Sequence, residues 1–237
     1  MKRILMLGCS YGVPNYFGPP GDPPETHVES LLTQAGHIVY NLSHNGGSNL
    51  KVIKKVNEYL DGQEVPGVTG GVPADNVPLT IKKPDDFGVD LIIWFHTSVL
   101  RDYHPGHGTL SEQVLHLSHA TYDGILLLRK RLEYPPIIVI GGTAPIFDFY
   151  EEYGTGNLLI IKNWIADLLQ QELPFNHLVG AMHHMKDVTD DHAVLEQQVS
   201  DAELIQRLMR ESALFPDACH PGAQAHSQLY EHLTPFL

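Results

Sequence analysis

A serine near one end of the chain and an Asp-His pair near the other end could together perform nucleophilic chemistry. Ser10 follows the apolar residues 4–7 and lies between two glycines, in "GCSYG". Asp217 and His220 are three positions apart, in "DACHPG". A carboxylate that orients an imidazole, which in turn accepts the proton of a hydroxyl, makes that hydroxyl a nucleophile. The three side chains therefore predict a nucleophilic site if the fold brings both ends of the chain together.

Four apolar segments are predicted as the strands that position these residues. They are residues 3–8, 37–42, 89–95 and 135–142. The segments at 89–95 and 135–142 are almost continuously apolar, which is typical of parallel strands covered on both faces.

Helices are predicted between these strands. Thr26-x-x-Glu29 and Thr109-x-x-Glu112 match the capping box that begins many helices. Ser48 precedes another segment with apolar residues on one helical face. Strands separated by helices predict a parallel sheet with right-handed connections.

The later part of the chain is less regular. Residues 157–171 are predicted as a helix and residues 177–185 as a last edge strand. Ser200-x-x-Glu203 is predicted to cap a further helix, and Pro221 is predicted in the first turn of a short C-terminal helix, where proline is tolerated.

One domain spanning residues 1–237 is predicted, with a long loop inserted at about residues 61–87, where Gly, Pro and Asp are scattered. In an open parallel sheet, functional groups collect in the loops that follow the carboxyl ends of the strands. This rule selects four loops, at residues 8–12, 43–49, 96–101 and 141–145.

Charge and apolar patterning exclude several classes of partner. The formal charge is -13, with 15 Lys and Arg, which argues against nucleic-acid binding because phosphates require a basic surface. The apolar run at 4–7 is shorter than the about 7 to 15 residues of a signal peptide, and no later run reaches the ~18 needed to span a bilayer. Cys9 and Cys219 fit a reducing compartment. We expect a cytoplasmic protein without membrane insertion.

Three blocks of residues, in order, resemble the SGNH or GDSL-type hydrolases. They are "GCSYG" at 8–12, "NLSHNGGS" at 41–48 and Asp217-x-x-His220-Pro221, which correspond to the first, second and fifth blocks of that family. The resemblance implies a flavodoxin-like three-layer α/β/α fold with a parallel sheet, and hydrolysis of a small or carbohydrate-linked ester. It makes Ser10 the nucleophile of an acyl-enzyme mechanism, His220 the base and Asp217 its orienting partner. It implies no metal and no organic cofactor.

The resemblance also implies where the oxyanion of the reaction would be bound. The backbone N–H groups of Ser10 and Gly46 would donate to it, with Gly47 as the adjacent alternative. Gly46 is expected to be glycine so that the substrate can approach closely. The third block of the family carries Gly-x-Asn-Asp, whose Asn is a further donor, whereas this chain has "WFHTSVLRDY" and places Thr97 or Ser98 there.

Neither Thr97 nor Ser98 carries an amide, so other residues are considered for this donor. Asn49 and Arg101 are the candidates, and Arg101 is also a candidate contact for a substrate carboxylate or phosphate. A surface ion pair with Asp102 is the ordinary alternative for Arg101. Cys9 also replaces the Asp of the Gly-Asp-Ser signature. These departures predict a weak or specialised esterase, or a fold that has lost activity.

Three other interpretations compete with the esterase. One is a non-catalytic binding module on the same scaffold, and another is a flavodoxin-like binder of a phosphorylated ligand at residues 8–12, where a glycine-rich turn can hold an anion. The third is a metal-binding site, which the fifteen histidines suggest. None of them lies in His-Glu-x-x-His or near a metal-binding cysteine pattern, so we expect scattered surface imidazoles instead. The closely spaced pairs are His104/His107, His116/His119 and His183/His184.

Overall fold

Five parallel strands form the central sheet of this computed structural model, in the order β2-β1-β5-β6-β7. The structure describes residues 1–12, 27–44, 46–67, 80–104, 107–142, 158–161, 163–174, 192–216 and 220–237. The strands of the sheet are β1 (Arg3–Gly8), β2 (Ile38–Asn41), β5 (Leu91–His96), β6 (Ile137–Gly141) and β7 (Leu158–Ile161). A separate antiparallel pair is formed by β3 (Val65–Pro66) and β4 (Thr80–Ile81).

Helices cover both faces of the sheet. On one face, α1 (Val28–Gln34), α4 (Trp164–Leu169), α5 (His192–Glu211) and α6 (Ala223–Leu233) surround a core that includes Ile4 and Met6. On the other face, α2 (Asn49–Leu60) and α3 (Leu110–Arg131) cover a second core that includes Leu5 and Leu7. Because successive side chains of a strand point to opposite faces, a strand between two cores is apolar throughout. The three-layer α/β/α prediction is confirmed.

Capping hydrogen bonds from nearby side chains stabilise the first turns of these helices. Ser48 caps α2 by accepting a hydrogen bond from the backbone of Lys51, and the capping box predicted at Thr109 and Glu112 is present at the start of α3. The first residue before α1 is His27, whose Nδ1 accepts from the backbone N–H of Glu29 at 3.2 Å. Thr26, the predicted cap, lies outside the described residues. An imidazole therefore serves as the cap of α1.

Several sequence predictions are wrong in detail. Residues 158–161 are not helical but form β7, because the apolar run "LLII" pairs in parallel with β6. Ser200 lies inside α5 rather than at its start, and Pro221 precedes Gly222, the residue that caps α6. Part of the predicted loop 61–87 pairs as β3 and β4.

Two further observations concern the predicted elements. The edge strand predicted at 177–185 lies outside the described residues. Among the helices that the structure describes, none combines the length and the apolar character that crossing a bilayer requires.

Two histidines lie buried against each other between α1 and α6. The ring centroids of His27 and His226 are 4.1 Å apart, and the two residues are 4% and 6% exposed. Burial lowers the pKa of His27 to about 4, and burial followed by the nearby His27 lowers the pKa of His226 well below its usual range. Both imidazoles are therefore neutral at pH 7, since charging either one would place a cation in the core.

Because these two histidines are buried, we expect the folded protein to lose stability when the pH is lowered. Between about pH 6.5 and pH 4 the unfolded chain binds a proton at His27 while the folded protein does not, so the free energy of unfolding falls as pH falls. For this one group the loss amounts to about 3 kcal/mol. We expect His27→Asn, which keeps a capping side chain but does not titrate, to lose less stability over this window in urea unfolding measured from pH 7 to pH 4.

His116→Asn is the control, because His116 is exposed on α3. That variant should follow the wild-type dependence on pH. An equal loss of stability in His27→Asn and wild type would contradict the assignment.

Candidate active site

The structure brings Ser10 and His220 together from the two ends of the chain. Ser10 begins a short 3-10 turn, Ser10–Gly12, directly after β1, and is 5% exposed. Nε2 of His220 lies 3.1 Å from its Oγ. When Nε2 carries no proton, the hydroxyl can donate to it, which is the arrangement that proton transfer from a serine nucleophile requires.

An aromatic contact holds the ring of His220 from the side. Tyr11, the residue after Ser10, meets this ring edge to face with centroids 5.9 Å apart, and it meets Trp164 of α4 in the same way at 6.3 Å. The ring centroids of Trp164 and His226 of α6 are in turn 5.8 Å apart. Sequence analysis assigned no role to Tyr11 or Trp164, because no spacing pattern links residues that meet only in the folded protein.

The expected orienting carboxylate cannot be placed. Asp217 and Cys219 both lie outside the described residues, so the role of Asp217 stays a prediction. Among the described residues on either side of them, the backbone N–H of Gly222 donates to the carbonyl of Leu214 at 2.8 Å. Cys9, beside Ser10, is a buried free cysteine.

The two glycines of the loop after β2, both considered as oxyanion donors, differ in their backbone contacts. The N–H of Gly47 already donates to the carbonyl of His44 at 2.9 Å, which favours Gly46 as the donor. Gly46 has φ +62° and no atom within 4 Å of an added Cβ, so the backbone conformation rather than crowding by this chain requires glycine there. At Gly47 an added Cβ would lie 2.9 Å from the carbonyl of His44.

Asn49 binds the loop that follows β5. Its Nδ2 donates to the carbonyl of Thr97 at 2.8 Å, and its Oδ1 accepts from the backbone N–H of Thr97 at 3.1 Å. Nδ2 also lies 3.4 Å from Nε2 of His96. With its amide engaged in this way and the residue 1% exposed, Asn49 is unsuited to the oxyanion role considered for it. Ser98 instead caps a 3-10 turn through the N–H of Leu100.

Arg101 and Asp102 both contact the loop after β2, but they do so separately. Nη1 of Arg101 donates to the carbonyl of Gly47 at 3.1 Å. Asp102 accepts from the hydroxyl of Ser48 and, at 3.3 Å, from the backbone N–H of Leu50. Between these two described residues there is no ion pair, so the surface ion pair considered for Arg101 is wrong. The guanidinium of Arg101 is instead hydrogen-bonded to the backbone of the glycine loop.

Three histidines line a cavity of about 610 Å³ between the starts of α2 and α3. They are His104, His107 and His116, and the rings of the first two lie 6.0 Å apart. Within the described part of the chain, no three histidines, cysteines or carboxylates are grouped closely enough to hold a metal ion. His183 and His184 lie outside the described residues.

The contacts of Asn49 lead to a test of its role. Removal of a buried amide that makes two backbone hydrogen bonds leaves the N–H and carbonyl of Thr97 without these partners, so Asn49→Ala should lower the free energy of unfolding by about 2 kcal/mol. Chemical denaturation measures this change. Asn57→Ala is the control, at a half-buried position of α2 where Oδ1 accepts from Nη1 of Arg131 at the protein surface, and it should lose less than about 1 kcal/mol. A variant that keeps full stability but loses only kcat would instead support an oxyanion role.

Comparisons with known proteins give structural neighbours only. No protein-family model matches the sequence. No curated protein matches it either. A solved carbohydrate esterase, whose active site is described as having divergent catalytic and non-catalytic binding functions, has a TM-score of 0.54 at 9% identity over 99% of this chain and 64% of its own.

Two other neighbours are also esterases. An acetyl xylan esterase of the rumen bacterium Butyrivibrio proteoclasticus has a TM-score of 0.47 at 13% identity, covering 99% of this chain and 64% of its own. AlinE4, an SGNH-hydrolase family esterase, has a TM-score of 0.40 at 16% identity, covering 87% of this chain and 96% of its own. This chain thus spans about 64% of the length of the acetyl xylan esterase. It shares the fold of the carbohydrate esterase with the TM-score of 0.54, a parallel sheet between two layers of helices.

Proposed function

We propose that the protein is a serine ester hydrolase in which Ser10 is the nucleophile and His220 the base. The observation that carries this proposal is the 3.1 Å approach of Nε2 of His220 to Oγ of Ser10, across 210 positions of sequence. Both residues belong to blocks that resemble the SGNH hydrolases, and they meet at the carboxyl end of β1. Functional sites of open parallel sheets lie at this edge.

The reaction proceeds through an acyl-enzyme. Oγ of Ser10 attacks the ester carbonyl while Nε2 of His220 accepts the hydroxyl proton. The C–O bond to the alcohol then breaks, and His220 returns the proton to the departing alkoxide. Water attacks the acyl-Ser10 with His220 again as base, which releases the carboxylic acid and restores the hydroxyl. In this proposal Asp217 holds the ring of His220 in the required tautomer.

The developing oxyanion is proposed to be bound by the backbone N–H groups of Ser10 and Gly46. The hydroxyl of Thr97 is the remaining candidate for a third donor, because the amide of Asn49 is engaged with the backbone of the same residue. Loss of one such donor costs about 3 to 4 kcal/mol of transition-state stabilisation in comparable enzymes. A hydroxyl in place of an amide therefore predicts slower turnover than in an enzyme with the complete donor set.

The proposed substrate is an ester of a small or carbohydrate-linked alcohol. The neighbour with a TM-score of 0.54 is a carbohydrate esterase, and the acetyl xylan esterase is named for a carbohydrate substrate. Arg101 stays a candidate for a substrate contact, although its guanidinium already donates to the carbonyl of Gly47. We expect the loop 61–87 and the segment 143–156 to border the cleft; of these, residues 68–79 and 143–156 lie outside the described residues.

Covalent labelling tests the nucleophile. An alkyl fluorophosphonate should add one phosphonyl group to Ser10, detected by intact-protein mass spectrometry and located by peptide mapping, because the hydroxyl lies beside a base. Ser10→Ala should abolish both this labelling and the hydrolysis of p-nitrophenyl acetate.

Ser118→Ala is the matched control, since Ser118 is also a buried serine and its hydroxyl donates to the carbonyl of Val114 within α3. It should be labelled and turn over as the wild type does. A folded wild-type protein that is neither labelled nor active would reject the hydrolase and favour a non-catalytic binding module.

A further inference from the structure

A buried amide links the turn of the nucleophile to the loop that carries the glycines. Asn41 is the last residue of β2 and is 8% exposed. Its Nδ2 donates to the carbonyl of Gly12 at 2.7 Å and to Oε2 of Glu29 at 2.7 Å. Its Oδ1 accepts from the backbone N–H of Ser43 at 3.0 Å. Both protons of the amide and its oxygen are therefore used.

These partners are the two loops of the proposed active site. Gly12 ends the turn that begins with Ser10, and its N–H donates to the carbonyl of Cys9 at 3.0 Å. Ser43 begins the loop that carries Gly46. An added Cβ at Gly12 would lie 3.1 Å from Cβ of Ser43, so the two loops also approach closely here. One side chain thus fixes the separation of the two loops.

Ionisable groups lie at both ends of this hydrogen-bonded chain. Burial raises the pKa of Glu29, and its hydrogen bond from Asn41 opposes that rise. At the other end, Nζ of Lys55 donates to the carbonyl of Ser43 at 3.2 Å, and burial lowers the pKa of this ammonium to about 8. Titratable groups nearby among the described residues include His44, whose pKa is lowered by burial and then by Lys55 and Lys51, and His27, whose Nδ1 accepts from the N–H of Glu29. The carboxyl group of Glu29 and the amine of Lys55 thus end one continuous chain of hydrogen bonds through Asn41 and Ser43.

We propose that Asn41 is a positioning residue, which holds the hydroxyl of Ser10 and the oxyanion donor of the Gly46 loop in one fixed arrangement. The proposal rests on the ester hydrolysis proposed above. Among side chains of this length only Asn supplies two N–H donors and an acceptor, whereas Asp supplies acceptors alone. Asn41 does not itself touch the reacting atoms, and it acts through the backbone of Gly12 and Ser43.

Asn41→Asp is the sharpest test, because the two side chains have the same shape. The variant loses both donated bonds and places a second carboxylate beside Glu29. Displacement of a catalytic group by about 1 Å can lower a rate by roughly 100-fold. We therefore expect kcat on p-nitrophenyl acetate to fall by about 10- to 100-fold with KM within about twofold of wild type, and phosphonyl labelling of Ser10 to slow in parallel.

The pH dependence gives a signature that a loss of stability alone does not produce. Two adjacent carboxyl groups share a proton more readily than either group alone, and a protonated carboxyl can donate a hydrogen bond. The ratio of kcat in Asn41→Asp to kcat in wild type should therefore rise as pH falls from 8 to 5. A ratio that stays constant over this range would overturn the proposal.

Asn57→Asp is the matched control. Asn57 lies on α2, where its Nδ2 donates to the carbonyl of Ile53 at 3.0 Å, away from both loops. It should keep the wild-type kcat, KM and pH dependence. Asn41→Ser, which removes the same amide without adding charge, replaces Asn41→Asp if that variant does not fold. A folded Asn41 variant with wild-type kcat, or with only a raised KM, would overturn the positioning role.

A readout that does not require activity separates this proposal from the hydrolase itself. If the wild-type protein is inactive and is not labelled, the proposed function is wrong. Amide hydrogen exchange then still tests whether Asn41 couples the two loops. The N–H of Gly12, in the turn that loses its bond from Asn41, should then exchange faster in Asn41→Asp than in wild type, and at the wild-type rate in Asn57→Asp. Unchanged exchange in Asn41→Asp would show that the amide does not hold the loops together.

Discussion

The close approach of β1 to β5 is the constraint on which the rest of the site depends. Gly8 lies opposite Phe95 in the parallel register, with φ +143°, and an added Cβ would lie 2.6 Å from Cβ of Phe95. A side chain at Gly8 would push the two strands apart at their carboxyl ends. Since the turn of Ser10 follows directly, this contact determines where the hydroxyl leaves the sheet.

Two kinds of packing meet around the Ser10 turn. On the side of α1, α4 and α6, rings pack in sequence from His220 through Tyr11 and Trp164 to His226, within a largely apolar core. On the side of the loop after β2, amide side chains bind backbone groups, and Asn41 binds the backbone of both Gly12 and Ser43. Rings orient the imidazole by shape, whereas amides fix backbone positions through hydrogen bonds whose directions are specific.

The strands of the sheet were largely predictable because their apolar character has a simple cause, burial on both faces. Residues 158–161 were missed, since a short apolar run fits a helix and a buried strand equally well. The catalytic roles of Ser10 and His220 stay predictions, whereas their proximity was predictable from short blocks. The engagement of Asn49 with Thr97 was not, because the sequence shows which side chain carries an amide and does not show which backbone group lies beside it in space.

The separation of Ser10 and His220 along the chain has a consequence for biosynthesis. Contacts between distant positions form late, since closure of a long loop costs entropy before the contact stabilises anything. A ribosome that adds about 5 to 20 residues per second completes β1 many seconds before it reaches the imidazole. In a nascent chain, Ser10 therefore lacks its imidazole partner until His220 has been synthesised and has reached the carboxyl end of β1.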